Sequence, residues 1–129
     1  NKGHARIWLR RMNEGVLPGI EEALATSAQV ETYMGNQLYR EYANIAREEG
    51  YTELERLFNG VANIDLNHAL QLERNYNNVV RNQVFCKPQP QLWICMECGN
   101  IMNGLCAPGI CPVCGFPQGF YRLYNVEQI

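Results

Sequence analysis

The sequence predicts an all-α helical hairpin that completes a four-helix bundle by dimerising, followed by a small module built on four cysteines. Three observations carry this. Apolar residues recur at helical spacing from Ile20 to Val79. Gly50 breaks the pattern once, near its middle. Beyond it lie two Cys-x-x-Cys pairs, Cys95/Cys98 and Cys111/Cys114, with twelve residues between them.

The 129 residues and the formal net charge of -2 suit one domain or two small ones. No basic patch wide enough for nucleic acid is evident. No apolar run is long enough to span a membrane. Six cysteines, four of them in metal-ligand pairs, point to a reducing compartment, so the cytoplasm is the expected location. Cys86 and Cys106 are left over and read as partly buried small residues.

Residues 1–18 form an N-terminal arm. It is basic and mixed, with Lys2, His4, Arg6, Arg10 and Arg11 around Ile7, Trp8 and Leu9. It reads as a short helix or as an arm packed on a partner, and it is assigned no chemistry. Pro18 and Gly19 mark the boundary to the hairpin, residues 19–82. Ile20, Leu24, Val30, Met34, Leu38 and Ile45 give the first helix, which stops at Gly50. Thr52, with Glu55 three residues on, opens the second in the manner of a capping box. Leu54, Leu57, Phe58, Val61, Leu72, Tyr76 and Val79 give its buried stripe. Each helix is about 45 Å long at 1.5 Å per residue. Two such helices cannot enclose a core, and a symmetric homodimer, or a higher oligomer, supplies the other two.

Residues 83–92 hold Pro88 and Pro90 and read as a linker, with Val84 and Phe85 able to form a short strand. Residues 93–129 form the metal module. Each Cys-x-x-Cys turn aims two thiolates at one ion, and Gly99 and Gly115 permit the positive φ such turns need. Pro112 stiffens the second turn. Cys95, Cys98, Cys111 and Cys114 thus form a tetrahedral all-sulfur site suited to iron or zinc. Their regularity argues against a disulfide framework. Spacing does not separate the two metals. The aromatic residues Trp93, Phe116, Phe120, Tyr121 and Tyr124 lean towards iron, because they shield a small redox centre from water.

Polar residues interrupt the apolar rows of the hairpin. Stepping by threes and fours along the first helix reaches Glu31, and along the second reaches Asp65 and His68, one turn apart. Glu31 lies nineteen residues before Gly50, and Asp65 and His68 lie fifteen and eighteen after it. The three side chains therefore fall within about one helical turn of the same level. A buried unpaired carboxylate is costly, and a shared cation removes the cost. A two-fold dimer doubles the set to the ligand complement of a di-iron bundle, with Asp in place of the usual Glu of the Glu-x-x-His pair. The alternative is a hydrogen-bonded polar layer without metal.

The tail Trp93-x-Cys95-x-x-Cys98-Gly99, then Gly104-x-x-Ala107-Pro108-x-x-Cys111-Pro112-x-Cys114, is similar to the rubredoxin-like domain of the rubrerythrin family. The run Tyr39 to Gly50, with Phe58 and Asp65-x-x-His68, resembles the second half of that family's ferritin-like domain. The likeness covers roughly residues 19–125. It implies a non-haem iron oxidoreductase of peroxidase type. Electrons from a redox donor protein would pass from a mononuclear four-cysteine iron to a di-iron pair that reduces hydrogen peroxide or oxygen. Glu31, Asp65 and His68 fall where that half carries iron ligands. Tyr39 falls where the family has a tyrosine that hydrogen-bonds near the iron pair. Two departures stand out. The family's first helix pair, with its own ligands, has no counterpart in these residues, and Met34 stands where the family has a further glutamate ligand. Two other readings remain: an electron-transfer or structural subunit with a degenerate bundle, and a zinc-ribbon binding module.

Overall fold

The structure, a computed structural model, describes residues 1–125. It divides into two compact units, residues 1–77 and the residues from Asn78 onward.

The first unit is helical. The N-terminal arm takes the helical option: α1 runs Lys2–Met12 with every residue exposed. After Pro18, α2 (Ile20–Tyr33) continues through a π-helical turn (Met34–Leu38) into α3 (Tyr39–Glu48). Gly50 ends this run at φ 85°, where Tyr51 donates its N–H back to the Ala46 carbonyl. The return helix α4 spans Thr52–Val80. The hairpin read from the periodicity is therefore present.

Its seam differs from the expected one. The fully buried apolar residues of the hairpin are all alanines: Ala28, Ala43 and Ala46 on one arm, Ala62 and Ala69 on the other. Gly35 is buried with them. Ala28 and Gly35, like Ala62 and Ala69, stand seven residues apart, two turns along one face. Small residues let the helices approach closely, so the seam is made of backbone and methyl groups. The larger side chains sit on its flanks. Leu57 and Ile64 remain more than half exposed. Arg40 ties the arms together, donating to Asn59 Oδ1 at 2.7 Å and Asn63 Oδ1 at 2.6 Å.

The expected capping box at Thr52 does not form. Tyr51 is the cap, its carbonyl accepting the Glu55 N–H at 3.0 Å, and the Glu55 carboxylate turns to Arg47 at 3.7 Å.

The second unit carries a three-stranded antiparallel sheet in the order β2-β1-β3, where β1 is Cys86–Cys95, β2 is Ile101–Cys106 and β3 is Tyr121–Leu123. Strand β1 begins inside the stretch read as a linker. Its first half pairs only at Cys86 with Cys106, and regular pairing resumes at Gln91 with Gly104. Pro88 and Pro90 explain the gap, since neither has an N–H to give a ladder. Cys86 and Cys106, read as partly buried small residues, instead form a disulfide with Cα atoms 4.0 Å apart; Cys86 is partly buried and Cys106 exposed. Trp93, Cys95, Ala107, Cys111 and Tyr121 make the core of this unit.

Candidate metal centres

The four cysteines come from two turns built alike. In the first, Gly99 N–H donates to the Cys95 carbonyl at 2.8 Å, and Cys95 N–H donates to the Asn100 carbonyl at 2.9 Å. In the second, Gly115 N–H donates to Cys111 at 2.9 Å, and Cys111 N–H donates to Phe116 at 2.8 Å. Gly99 and Gly115 hold φ of 79° and 75°, the left-handed conformation their positions required.

These turns bring the four sulfurs within 4.8 Å of one another. Cys95 Sγ lies 3.7 Å from Cys114 Sγ, and Cys98 Sγ lies 3.7 Å from Cys111 Sγ. A tetrahedral ion with metal–sulfur bonds of about 2.3 Å sets its sulfurs about 3.8 Å apart. The chain's own spacing therefore fits one tetrathiolate ion. Cys95 and Cys111 are buried, Cys114 is half-buried and Cys98 is exposed, so the site is sheathed on one side and open on the other. Trp93 and Tyr121 do the sheathing, at 1% and 3% exposure. Phe116 and Phe120, expected to share that task, pack edge to face with each other at 4.7 Å and stay more than a third exposed.

The metal-free sulfurs are not equivalent. Cys111 is pulled down to about 6, first by the Tyr121 hydroxyl and then by the Cys114 backbone N–H, against the opposing effect of burial. For Cys114, the Phe116 backbone N–H favours the thiolate, but burial and the sulfurs of Cys98, Cys111 and Cys95 outweigh it and push the thiol up to about 12. Four thiols this close cannot all ionise without a cation among them.

The helical unit brings together the second set. Glu31 on α2 and Asp65 and His68 on α4 offer ligand atoms within 4.8 Å of one another. His68 Nδ1 lies 3.4 Å from Glu31 Oε2 and 3.9 Å from Asp65 Oδ1. The matched heights inferred from counting residues are thus realised. The expected burial is not. The His68 side chain is 49% exposed and that of Glu31 31%, so the hairpin alone presents an open, half-built site. Leu57, Val61, Ile64 and His68 follow helical spacing, placing the imidazole on a row of α4 where Val61 is half-buried and Leu57 and Ile64 are exposed. Tyr39 packs its ring against Tyr42 and Phe58, with centroids 6.0 and 6.2 Å away, and among the described residues no hydrogen bond joins it to the trio. Met34 opens the π-helical turn one residue after α2 ends. Such turns mark functional stretches of helices often enough to draw notice, and nothing in the apolar spacing announced this one.

Residues 93–122 match the family model described as the rubrerythrin rubredoxin-like domain. The chain is 31% identical over 113 residues to rubrerythrin of Nitratidesulfovibrio vulgaris, covering 88% of this chain and 59% of that protein. It is 30% identical over 137 aligned positions to Rubrerythrin-1 of Clostridium acetobutylicum, covering 95% of this chain and 70% of that protein. A solved structure of nigerythrin in a mixed-valence state aligns over 92% of this chain and 60% of its own, with 21% identity and a TM-score of 0.49. With a rubredoxin-like four-cysteine module following a helical hairpin, and this identity spread over most of its length, the chain belongs to the rubrerythrin family.

Proposed function

We propose that the protein is a non-haem iron oxidoreductase that reduces hydrogen peroxide or oxygen. In this reading a redox donor protein delivers electrons to an iron held by Cys95, Cys98, Cys111 and Cys114. Glu31, Asp65 and His68 of two chains would hold an iron pair at which those electrons are spent. The observation that carries the proposal is the trio itself. One imidazole and two carboxylates converge from opposite arms of the hairpin, in a chain that also holds a preformed tetrathiolate cage.

The residues divide the work. The four sulfurs fix a tetrahedral cage that would hold iron, an ion able to cycle between two charges without changing its ligands. Glu31 and Asp65 supply negative charge that neutralises cations, and His68 supplies a neutral nitrogen ligand. Bound iron at the trio would supply the two-electron reduction of a peroxide. A second copy laid on the row of Leu57, Val61 and Ile64 would bury that apolar row. It would also exclude water from the trio and double the ligand set. The setting proposed is cytoplasmic, on the four unpaired cysteines; the Cys86–Cys106 disulfide runs against it, since such bonds are rare in that compartment. No described helix is long and apolar enough to cross a membrane.

The openness of the trio favours a second reading, in which the sulfur site transfers electrons and the hairpin only holds a partner. Iron loading separates the two. The first reading expects iron at the trio as well as at the sulfurs, a dimeric protein, and reoxidation of the reduced form by hydrogen peroxide within the mixing time of a rapid experiment. His68→Ala should remove the trio's iron and slow that reoxidation at least tenfold, leaving the colour of the sulfur site intact. Iron confined to the sulfurs, with His68→Ala indistinguishable from the parent, would leave only the second reading.

A further inference from the structure

We infer that Cys86 and Cys106 are a reversible thiol–disulfide pair, opened by a protein dithiol and closed again by hydrogen peroxide, whose state sets how tightly one wall of the four-sulfur site is held. The opening step is independent of the proposed function. The closing step rests on it, because peroxide is the oxidant.

The two cysteines face each other across β1 and β2, at the outer end of the ladder. The next pair is Gln91 with Gly104, so residues 87–90 stand opposite Leu105 alone. Pro88 and Pro90 have no N–H to give in this stretch. The covalent bond therefore ties an end that the ladder itself holds poorly. Beside it, Ala107 N–H donates to the Phe85 carbonyl at 2.8 Å, and Gln118 Nε2 donates to the Ala107 carbonyl at 2.7 Å. Neither hydrogen bond needs the disulfide. They keep the freed thiols opposite each other, where they can rejoin.

Reactivity follows from access. Cys106 is exposed and Cys86 partly buried, so an incoming thiolate reaches the Cys106 sulfur first. The other four cysteines are unpaired. A setting reducing enough to keep them so also exposes this bond to dithiols. A permanently oxidised bond fits such a setting poorly, whereas one that opens and closes fits it well.

Opening moves two electrons. A donor thiolate attacks the Cys106 sulfur, the S–S bond breaks, and Cys86 leaves as a thiolate that takes up a proton. The donor's second thiol then loses its proton and displaces Cys106, forming the donor's own disulfide. Closing passes two electrons to peroxide. One thiol, as its thiolate, attacks a peroxide oxygen, the O–O bond breaks, and a sulfenic acid forms with release of water. The second thiol displaces another water from that sulfur, and the S–S bond is restored.

The neighbours of the pair carry its state to the metal site. Ala107, next to Cys106, is 3% exposed in the core that holds Cys95 and Cys111. Phe85, next to Cys86, packs against that core. Opening the pair removes the covalent tie between these two neighbours and leaves only hydrogen bonds. Local opening of the wall should then be more frequent, and a held ion should escape faster.

The test uses the full chain loaded with zinc. No iron is then present to consume peroxide, so failure here is distinct from failure of the iron reading. The probe is thioredoxin kept reduced by its reductase. N-ethylmaleimide added without denaturant, followed by peptide mass mapping, reads Cys86 and Cys106 individually. Both should be unlabelled in the air-oxidised chain and labelled after the dithiol. Once the dithiol is removed and hydrogen peroxide added, they should be joined again in one cross-linked peptide. Zinc transfer to a coloured chelator should be several-fold faster from the opened chain than from the closed one. Cys86→Ser/Cys106→Ser should release zinc like the opened chain. If that variant does not fold, the opened and closed parent decide between them. A bond that thioredoxin opens only in denaturant overturns the inference. So do thiols that peroxide fails to rejoin, and so do equal rates of zinc release.

Discussion

Gly35 lies against Leu66 so closely that a Cβ built on it would stand 2.6 Å from the Leu66 Cγ and 2.8 Å from the Ala62 carbonyl oxygen. The constraint is one of space, because Gly35 has ordinary helical backbone within the π-helical turn. Leu66 can rotate away, but the Ala62 carbonyl belongs to the α4 backbone and cannot. Gly35→Ala should therefore push the two arms apart and destabilise the helical unit by about 1–3 kcal/mol, as overpacking does. Urea unfolding followed by far-ultraviolet circular dichroism measures this. Because Glu31 sits one turn before Gly35, the same variant should also loosen the approach of Glu31 to His68.

The disulfide gives a second expectation. Cys86 and Cys106 enclose a loop with a sequence separation of 20 residues. In the chain-entropy account, closing a loop of this size stabilises the folded state by about 3 kcal/mol. Alkylation under denaturing, non-reducing conditions, after acid release of metal, should label Cys95, Cys98, Cys111 and Cys114 and spare the other two. Cys86→Ser should lower the stability of the sulfur-bearing unit by roughly that amount.

Metal-free protein should show an uneven titration. Cys111 has its folded pKa lowered to about 6 from a usual 9.0, so in the folded chain it releases its proton well before the unfolded chain does. Stability from this thiolate is present above the unfolded value and is lost as pH falls towards 6. Cys114 runs the other way. Its folded value is raised to about 12, so its contribution is present below 9.0 and is lost as pH rises towards 12. The metal-free sulfur-bearing unit should accordingly lose stability both as pH falls towards 6 and as it rises towards 12. Thiolate absorbance should show an early step from Cys111 and late steps from Cys98 and Cys114. Four thiols titrating together near the ordinary value would contradict this.

What could be read from the residues follows from which forces act locally. The metal turns were legible because their geometry is short-range: two cysteines, one Gly for the positive φ, and the bond pattern of Gly99 to Cys95 repeated by Gly115 to Cys111. The hairpin was legible because Gly50 stops one apolar period and Thr52 begins another. The level of Glu31 with Asp65 and His68 followed from helix rise alone. The π-helical turn was not visible, since a single residue inserted within Met34–Leu38 leaves the apolar spacing on either side of it unchanged. The seam was misjudged because periodicity marks large apolar residues, whereas Ala28, Gly35, Ala62 and Ala69 let the backbones touch and leave Leu57 and Ile64 on the flank. The Cys86–Cys106 bond depends on strand register, which exists only once β1 and β2 have paired.

An anomalous-difference map, recorded at the iron edge from crystals of the iron-loaded protein, tests the central claim most directly. The account predicts one strong peak inside Cys95, Cys98, Cys111 and Cys114, and a pair of peaks bounded by Glu31, Asp65 and His68 from two chains. A peak at the sulfurs alone, with the carboxylates and His68 of each hairpin facing solvent, would contradict it.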